Sequence, residues 1–272
     1  MGEMKKSETK KREIYDYLIR SVVRALDVFN VFILSNEKEL GVTTLSYRLK
    51  LPKNNVFRLL TTLSYQGYIE QNPVTGNYRL GLRCLELGQA YLRRMGLVSQ
   101  AHDILDRLAT KTMETAYLSV CDRGEVVYVD MMETCRPVRI VPMIGRRAPL
   151  FCTSAGKVQV AYKSPEEIRK LLKEVGLKRY TKNTIVSESE MLKHLEMVRK
   201  QGYAIDNEEY EEDVKCVGAP VWDYTENVVA GVCISGPVNR MSNERIEKEL
   251  VPLVKNAAME ISRRLGYGVE SP

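Results

Sequence analysis

Apolar positions along the first third of the chain recur at intervals of three and four, interrupted by short polar turns. From Ser21 the run SVVRALDVFNVFIL places Val22, Ala25, Leu26, Phe29 and Phe32 on one stripe, which predicts an amphipathic helix with that stripe turned to a core. After the polar SNEKELG, the run VTTLSYRLKL predicts a short second helix, capped by Thr43 or Thr44 and burying Leu45 and Leu49, with Lys50 and Leu51 as the turn. Pro52 suits the first position of a third helix, where its missing N–H costs nothing, and Val56, Leu59, Leu60 and Leu63 follow at i, i+3, i+4 and i+7. Gly67 ends that helix. Two short alternating segments, Tyr68 to Gln71 and Asn77 to Leu80, flank a turn containing Pro73 and Gly76 and predict a hairpin.

The third helix leaves Lys53, Asn54, Asn55, Arg58, Thr61 and Thr62 outside its buried stripe, without one carboxylate among them. Asparagine pairs bidentately with adenine and arginine with guanine in the major groove, each good pair discriminating by roughly 1–3 kcal/mol. Two helices joined by a tight turn, the second offering its N-terminal residues, match helix-turn-helix docking, and the hairpin reads as a wing in which Arg79 and Asn77 reach phosphate. Charge supports this. Residues 1–83 hold 14 Lys/Arg and 8 Asp/Glu, a net +6, whereas residues 84–272 hold 27 of each. The surface so marked for DNA comprises Thr44, Arg48, Lys53, Asn54, Asn55, Arg58, Thr61 and Arg79.

Downstream the pattern changes. LRCLELGQAYLRRM, with Leu82, Leu85, Tyr91 and Leu92 on a stripe, reads as a linker helix with no core of its own. From Leu97 helices and strands alternate: a helix around Val98 to Lys111, a hairpin AYLSVCDRGEVVYVDMM turning at Asp122 to Gly124, and a strand VRIVPMI. Ser164 and Ser187 open helices with S-x-x-E starts, and two apolar strands, KCVGAPVW and VVAGVCISG, precede a final helix from about Asn243 to Leu265. The 272 residues thus divide into a basic polar arm over 1–19, a winged helix-turn-helix over 20–82, a linker helix over 83–97 and a larger αβ domain over 98–267. The fold class is α+β.

Candidate chemistry in the larger domain centres on TSAGK. Ser154 and Lys157 have the S-x-x-K spacing of penicillin-recognising enzymes, but the companion S-D-N and K-T-G elements are absent. A phosphate loop is excluded too, because Phe151 stands where its first glycine belongs and Val158 follows the lysine. With only two histidines, catalysis is not expected. A helix starting at TSAGK instead offers free backbone N–H groups to a carboxylate, and its small residues allow close approach. Six cysteines include no CxxC pair, so no metal and no cofactor are expected. No apolar run is long enough for a membrane span and no secretory signal is present, which points to a cytoplasmic protein.

LPKNNVFRLLTTLSYQGYIEQNPVTGNYRLG resembles the winged helix-turn-helix of the IclR family of bacterial transcriptional regulators, departing from it at the Asn54-Asn55 pair. GRRAPLFCTSAGK, GYAIDNEE, CVGAPV and AGVCISGP resemble the GAF-like effector-binding domain of the same family, so the likeness spans about residues 20–267. The resemblance implies a sequence-specific DNA-binding transcriptional regulator, controlled by a small organic acid and acting on a palindromic double-stranded operator as a homodimer or homotetramer. It also implies an effector pocket of Ile140, Ala148, Ser154, Ala155, Asp206, Cys216, Cys233 and Ser235. Ser235 and the amides near Ala155 would bond the acid; Asp206 would have to be protonated, bind through water or meet a hydroxyl. Two other classes remain open: an enzyme of small acids, shown by turnover lost in Ser154→Ala or Lys157→Ala, and a DNA-independent interaction module whose basic helix meets an acidic partner.

Overall fold

The computed structural model describes residues 17–94, 96–141 and 143–268, and its contacts divide the chain into two compact units, residues 1–91 and 92–272. Most of the expected basic arm, residues 1–16, lies outside the described residues.

In the first unit α1 (Arg20–Ile33), α2 (Val42–Leu49) and α3 (Lys53–Tyr65) precede a hairpin of β1 (Ile69–Gln71) and β2 (Tyr78–Leu80). The register pairs Glu70 with Arg79, and Leu40 bonds Tyr78 through both backbone groups at 2.8 and 2.9 Å. The core is Val28, Phe32, Leu40, Leu45, Val56, Leu60, Leu63, Ile69 and Tyr78. Burying the three α3 side chains among these contributes roughly 1.5–3 kcal/mol each. Lys50 closes α2 in the left-handed conformation, φ 52°, which turns the chain toward α3.

Three local expectations need correction. The buried stripe of α1 runs through Ala25, Val28, Phe29 and Phe32, while Val22 and Leu26 are more than half exposed. α1 carries apolar residues on two faces, and its packing partners select the one that contains Val28. The N-cap of α2 is Gly41 with no side-chain cap, because the helix starts at Val42, ahead of both threonines. Pro52 stands one position earlier than expected, as the N-cap of α3.

The division between the units, after Tyr91, falls within α4 (Leu82–Arg94), and α5 (Gly96–Thr112) follows in the second unit, so the expected linker over 83–97 covers parts of two helices. The second unit is built on a six-stranded antiparallel sheet in the order β5-β4-β3-β8-β7-β6. Its strands are β3 (Thr115–Asp122), β4 (Glu125–Met132), β5 (Arg147–Pro149), β6 (Ala204–Asn207), β7 (Val214–Trp222) and β8 (Val228–Pro237). Side chains alternate across it as strand geometry requires. Ala116, Leu118, Val232 and Ile234 meet α5 and the C-terminal helix α9 (243–264), while Tyr117 and Cys233 face α6 (Ser154–Val160), α7 (Pro165–Val175) and α8 (Glu188–Gln201).

α9 runs from Asn243 to Arg264 with a wider turn over Ile246–Leu250. Pro252, lacking an N–H, interrupts the ladder next to that turn. Ser164 forms the reciprocal cap with Glu167, whereas Ser187 only accepts from the Glu190 amide. The expected strand VRIVPMI is not one: residues 138–141, 143 and 144 lie outside any strand. β5 takes the edge of β4 instead, with Gly145 donating to the Tyr128 carbonyl at 2.8 Å.

Candidate functional site

The outward face of α3 carries Lys53, Asn54, Arg58, Thr61 and Thr62 exposed and Asn55 half-buried. Thr61 and Thr62 donate to the carbonyls of Phe57 and Arg58, both at 2.9 Å, so their hydroxyl oxygens remain available as acceptors. Thr44 is half-buried on α2. Arg48 is paired with Glu37 at 2.5 Å, and Arg79 with Glu70 at 3.2 Å. Glu39 ties the wing down, accepting from Asn72 and Thr75 at 2.8 Å each; the Asn72 bond leads the effects that hold its carboxyl below the usual range. The eight positions marked for DNA therefore share one unit but their cations differ in pairing: Arg48 and Arg79 each meet a glutamate, whereas Lys53 and Arg58 have no carboxylate in reach among the described residues.

In the second unit all eight residues expected around an effector line one cavity with about 530 Å³ of atom-free space, mouth included. Tyr117, Tyr128, Arg146, Thr153, Tyr210, Glu211 and Val214 complete the wall; the sequence pattern did not mark them, and of these only Arg146 and Thr153 lie in a stretch that carries the family resemblance, GRRAPLFCTSAGK. α6 starts inside the cavity because Thr153 caps it, accepting from the Gly156 amide at 3.2 Å and donating to the Pro149 carbonyl at 2.8 Å. Gly156 is obligatory here: a Cβ would stand 2.0 Å from the Leu150 carbonyl oxygen. Among the described residues the amides of Ser154 and Ala155 have no acceptor, and the buried Ser154 hydroxyl has no partner. Ser154 and Ala155 both line the cavity where α6 begins, and a buried hydroxyl left without a partner is costly.

The rest of the wall is mostly neutral. Cys216 and Ser235, paired across β7 and β8, lie 2.8 Å apart side chain to side chain. Burial pushes the Cys233 thiol up to about 12 and Cys216 well above its ordinary value, so neither is a thiolate near neutrality. The Tyr117 and Tyr128 rings stand 5.5 Å apart, both hydroxyls raised by burial, and Tyr117 donates to the Ile140 carbonyl at 3.2 Å. Arg146 and Glu211 form a half-exposed pair at 3.3 Å. Asp206 accepts from the Glu209 amide at 2.8 Å, and burial raises its carboxyl to about 7. It is therefore largely protonated below that pH, which removes the obstacle it poses to an anion.

Lys157 points away from this chemistry. Fully buried, it pairs with Glu209 and donates to the Ile205 carbonyl at 3.0 Å, so it is no base for Ser154. Among the described residues there is no group of three or more His, Cys, Asp or Glu placed to hold a metal.

Family models place this architecture. The model for the IclR helix-turn-helix domain matches residues 21–73, and that for the bacterial transcriptional regulator IclR C-terminal domain matches residues 89–263. The chain belongs to the IclR family. It is 38% identical to the HTH-type transcriptional regulator KdgR of Escherichia coli over 248 residues, 91% of this chain and 94% of that one. The crystal structure of the Thermotoga maritima IclR superposes with a TM-score of 0.78 at 33% identity, covering 92% and 100% of the two chains. An IclR homologue from Microbacterium hydrocarbonoxydans, complexed with 4-hydroxybenzoate, shares the fold at a TM-score of 0.81 and 20% identity, over 90% and 99%. The protein is thus an IclR-type transcriptional regulator and not an enzyme. Its winged unit is the DNA-binding part of the family architecture, and the cavity lies in the IclR C-terminal domain.

Proposed function

We propose that this regulator binds a palindromic operator as a homo-oligomer in the cytoplasm, through Thr44, Arg48, Lys53, Asn54, Asn55, Arg58, Thr61 and Arg79, and that a small organic acid in the cavity sets its affinity for DNA. The observation that carries the effector reading is that all eight expected residues line one cavity at the start of α6, where the Ser154 hydroxyl and the Ser154 and Ala155 amides have no partner among the described residues. A carboxylate satisfies all three donors, and the raised pKa of Asp206 lets that carboxyl stand neutral beside an anion or donate to a hydroxyl. The Microbacterium homologue accommodates a carboxylic acid in the same fold. Ile140, Ala148, Cys216, Cys233 and Ser235 give such a ligand its walls and one further hydroxyl.

Regulation follows from differential affinity: the acid shifts the balance between states only as far as it binds one better than the other. An inverted repeat matches two copies of α3 related by a two-fold axis. The test is selection of bound duplexes from random and host genomic DNA with purified protein at stated salt, with and without candidate acids. Enrichment of an inverted repeat, relieved or strengthened by an acid, is the expected result. Salt-sensitive binding without any enriched sequence would overturn the base-reading role of α3.

A further inference from the structure

A cation outside the eight positions assigned above lies in the groove shared by α1 and α3. Ser21 and Arg24, on α1, line one side; Asn55, Arg58, Leu59 and Thr62 line the other. Arg24 and Arg58 are exposed, and neither has a carboxylate within ion-pair distance among the described residues, whereas Arg48, Arg79 and Arg83 are each paired with a glutamate. Two uncompensated guanidiniums on facing walls repel each other, and an anion between them converts that repulsion into attraction. The planar fork of a guanidinium fits the two free oxygens of a phosphodiester. Ala25, Val28, Phe29 and Phe32 pack α1 into the core of the first unit and Leu59 packs α3 into it, so both walls of the groove, Arg24 included, stand on packed helices.

We propose that Arg24, opposite Arg58, grips a backbone phosphate of the duplex beside the bases that α3 meets, and so sets the angle at which α3 enters the major groove. This rests on α3 being the helix that faces DNA. Arg24 is a positioning residue, since a phosphate carries no base identity.

The test is fluorescence anisotropy of two labelled duplexes, one with a selected site and one of random sequence, across a salt series with the full-length protein. Wild type is compared with Arg24→Ala, Arg24→Lys and Lys173→Ala, the last removing the same charge from an exposed site on α7. Arg24→Ala is expected to weaken both duplexes alike, on the order of tenfold at low salt, and to lower the slope of log affinity against log salt by about one per subunit. Arg24→Lys restores the slope but not the full affinity, because an ammonium does not bridge two oxygens. Unchanged affinity and slope in Arg24→Ala, or an equal loss in Lys173→Ala, overturns the proposal, with matching thermal unfolding curves showing that all variants fold. The α3 reading fails separately, through Asn55→Ala and Arg58→Ala that leave base preference intact, and the random duplex still decides Arg24. Absence of binding to either duplex overturns both.

Discussion

Replacing Asp206 by asparagine isolates the most telling carboxyl of the cavity. Burial lifts its pKa from an ordinary 3.8 to about 7, against the pull of Lys157 and of the Glu209 amide. Below the lower value the group is protonated in the folded and unfolded chains alike and contributes no pH dependence. Between the two values the unfolded chain releases the proton while the folded chain keeps it, so native stability falls as pH rises. Above about 7 both forms are ionised and the loss is complete. A gap of about three units at 1.36 kcal/mol each amounts to roughly 4 kcal/mol. Asparagine does not titrate and still accepts from the Glu209 amide through its carbonyl. The variant is therefore expected to gain on wild type progressively between about pH 4 and pH 8.

Urea unfolding followed by the fluorescence of Trp222 measures this, because the chain has one tryptophan and it lies in β7 of the same unit, against Tyr162 and Tyr267. His194, lowered to about 4 by burial and by Lys157, works in the opposite sense and destabilises the native state as pH falls below its ordinary 6.5. It is present in both proteins and cancels in the difference. The pH dependence of that difference carries the test, and a constant offset does not matter. Parallel curves for the two proteins would refute the raised pKa of Asp206. On the same reasoning an acid effector binds wild type about tenfold more weakly per pH unit above about 7, and the variant abolishes that slope.

Three further substitutions probe the same unit. Ser154→Ala removes a buried hydroxyl that has no partner, so it is expected to leave the ligand-free protein as stable or more stable by about 1 kcal/mol while weakening acid binding about tenfold, read by urea unfolding and calorimetric titration. Loss of stability with unchanged acid affinity would contradict it. Gly156→Ala drives a Cβ into the Leu150 carbonyl and is expected to cost about 3 kcal/mol, visible as a lowered thermal midpoint together with lost acid binding. Glu114 is fully buried and accepts from Arg240 at 2.7 and 2.6 Å and from Arg245 at 3.1 Å; Glu114→Ala is expected to cost about 3 kcal/mol, at the low end for a buried pair because both guanidiniums keep some access to water. A change under about 1 kcal/mol in urea unfolding would show that the cluster contributes little.

How much of this was legible depended on how many constraints met at each element. α3 was readable because a period of 3.6, a proline at its start, a glycine at its end and a carboxylate-free face all agreed. α1 was readable as a helix but not as a packed one: Val22, Leu26, Ala25 and Val28 satisfy two stripes, and only the partners in space choose between them. The segment VRIVPMI has the β-branched residues of a strand, yet it includes Pro142 and the edge it needs is occupied by Arg147–Pro149. In the cavity, most of the expected residues lay in motifs, although Arg146 and Thr153 of GRRAPLFCTSAGK were missed, whereas Tyr117, Tyr128 and Tyr210 come from strands and loops brought together by sheet order. The charge count flagged the basic third of the chain, but it did not show that Glu37 and Glu70 already occupy two of its arginines.

Those two occupied arginines bear on the search through a genome. A phosphate that takes Arg48 or Arg79 must displace a carboxylate, and the freed carboxylate gathers the cation that the phosphate gave up. The entropy of released ions, which makes basic proteins cling to any duplex, is correspondingly small at these two places. With the DNA contacts proposed above, a winged unit arranged in this way is expected to spend less time held on irrelevant DNA than one whose arginines all stand unpaired.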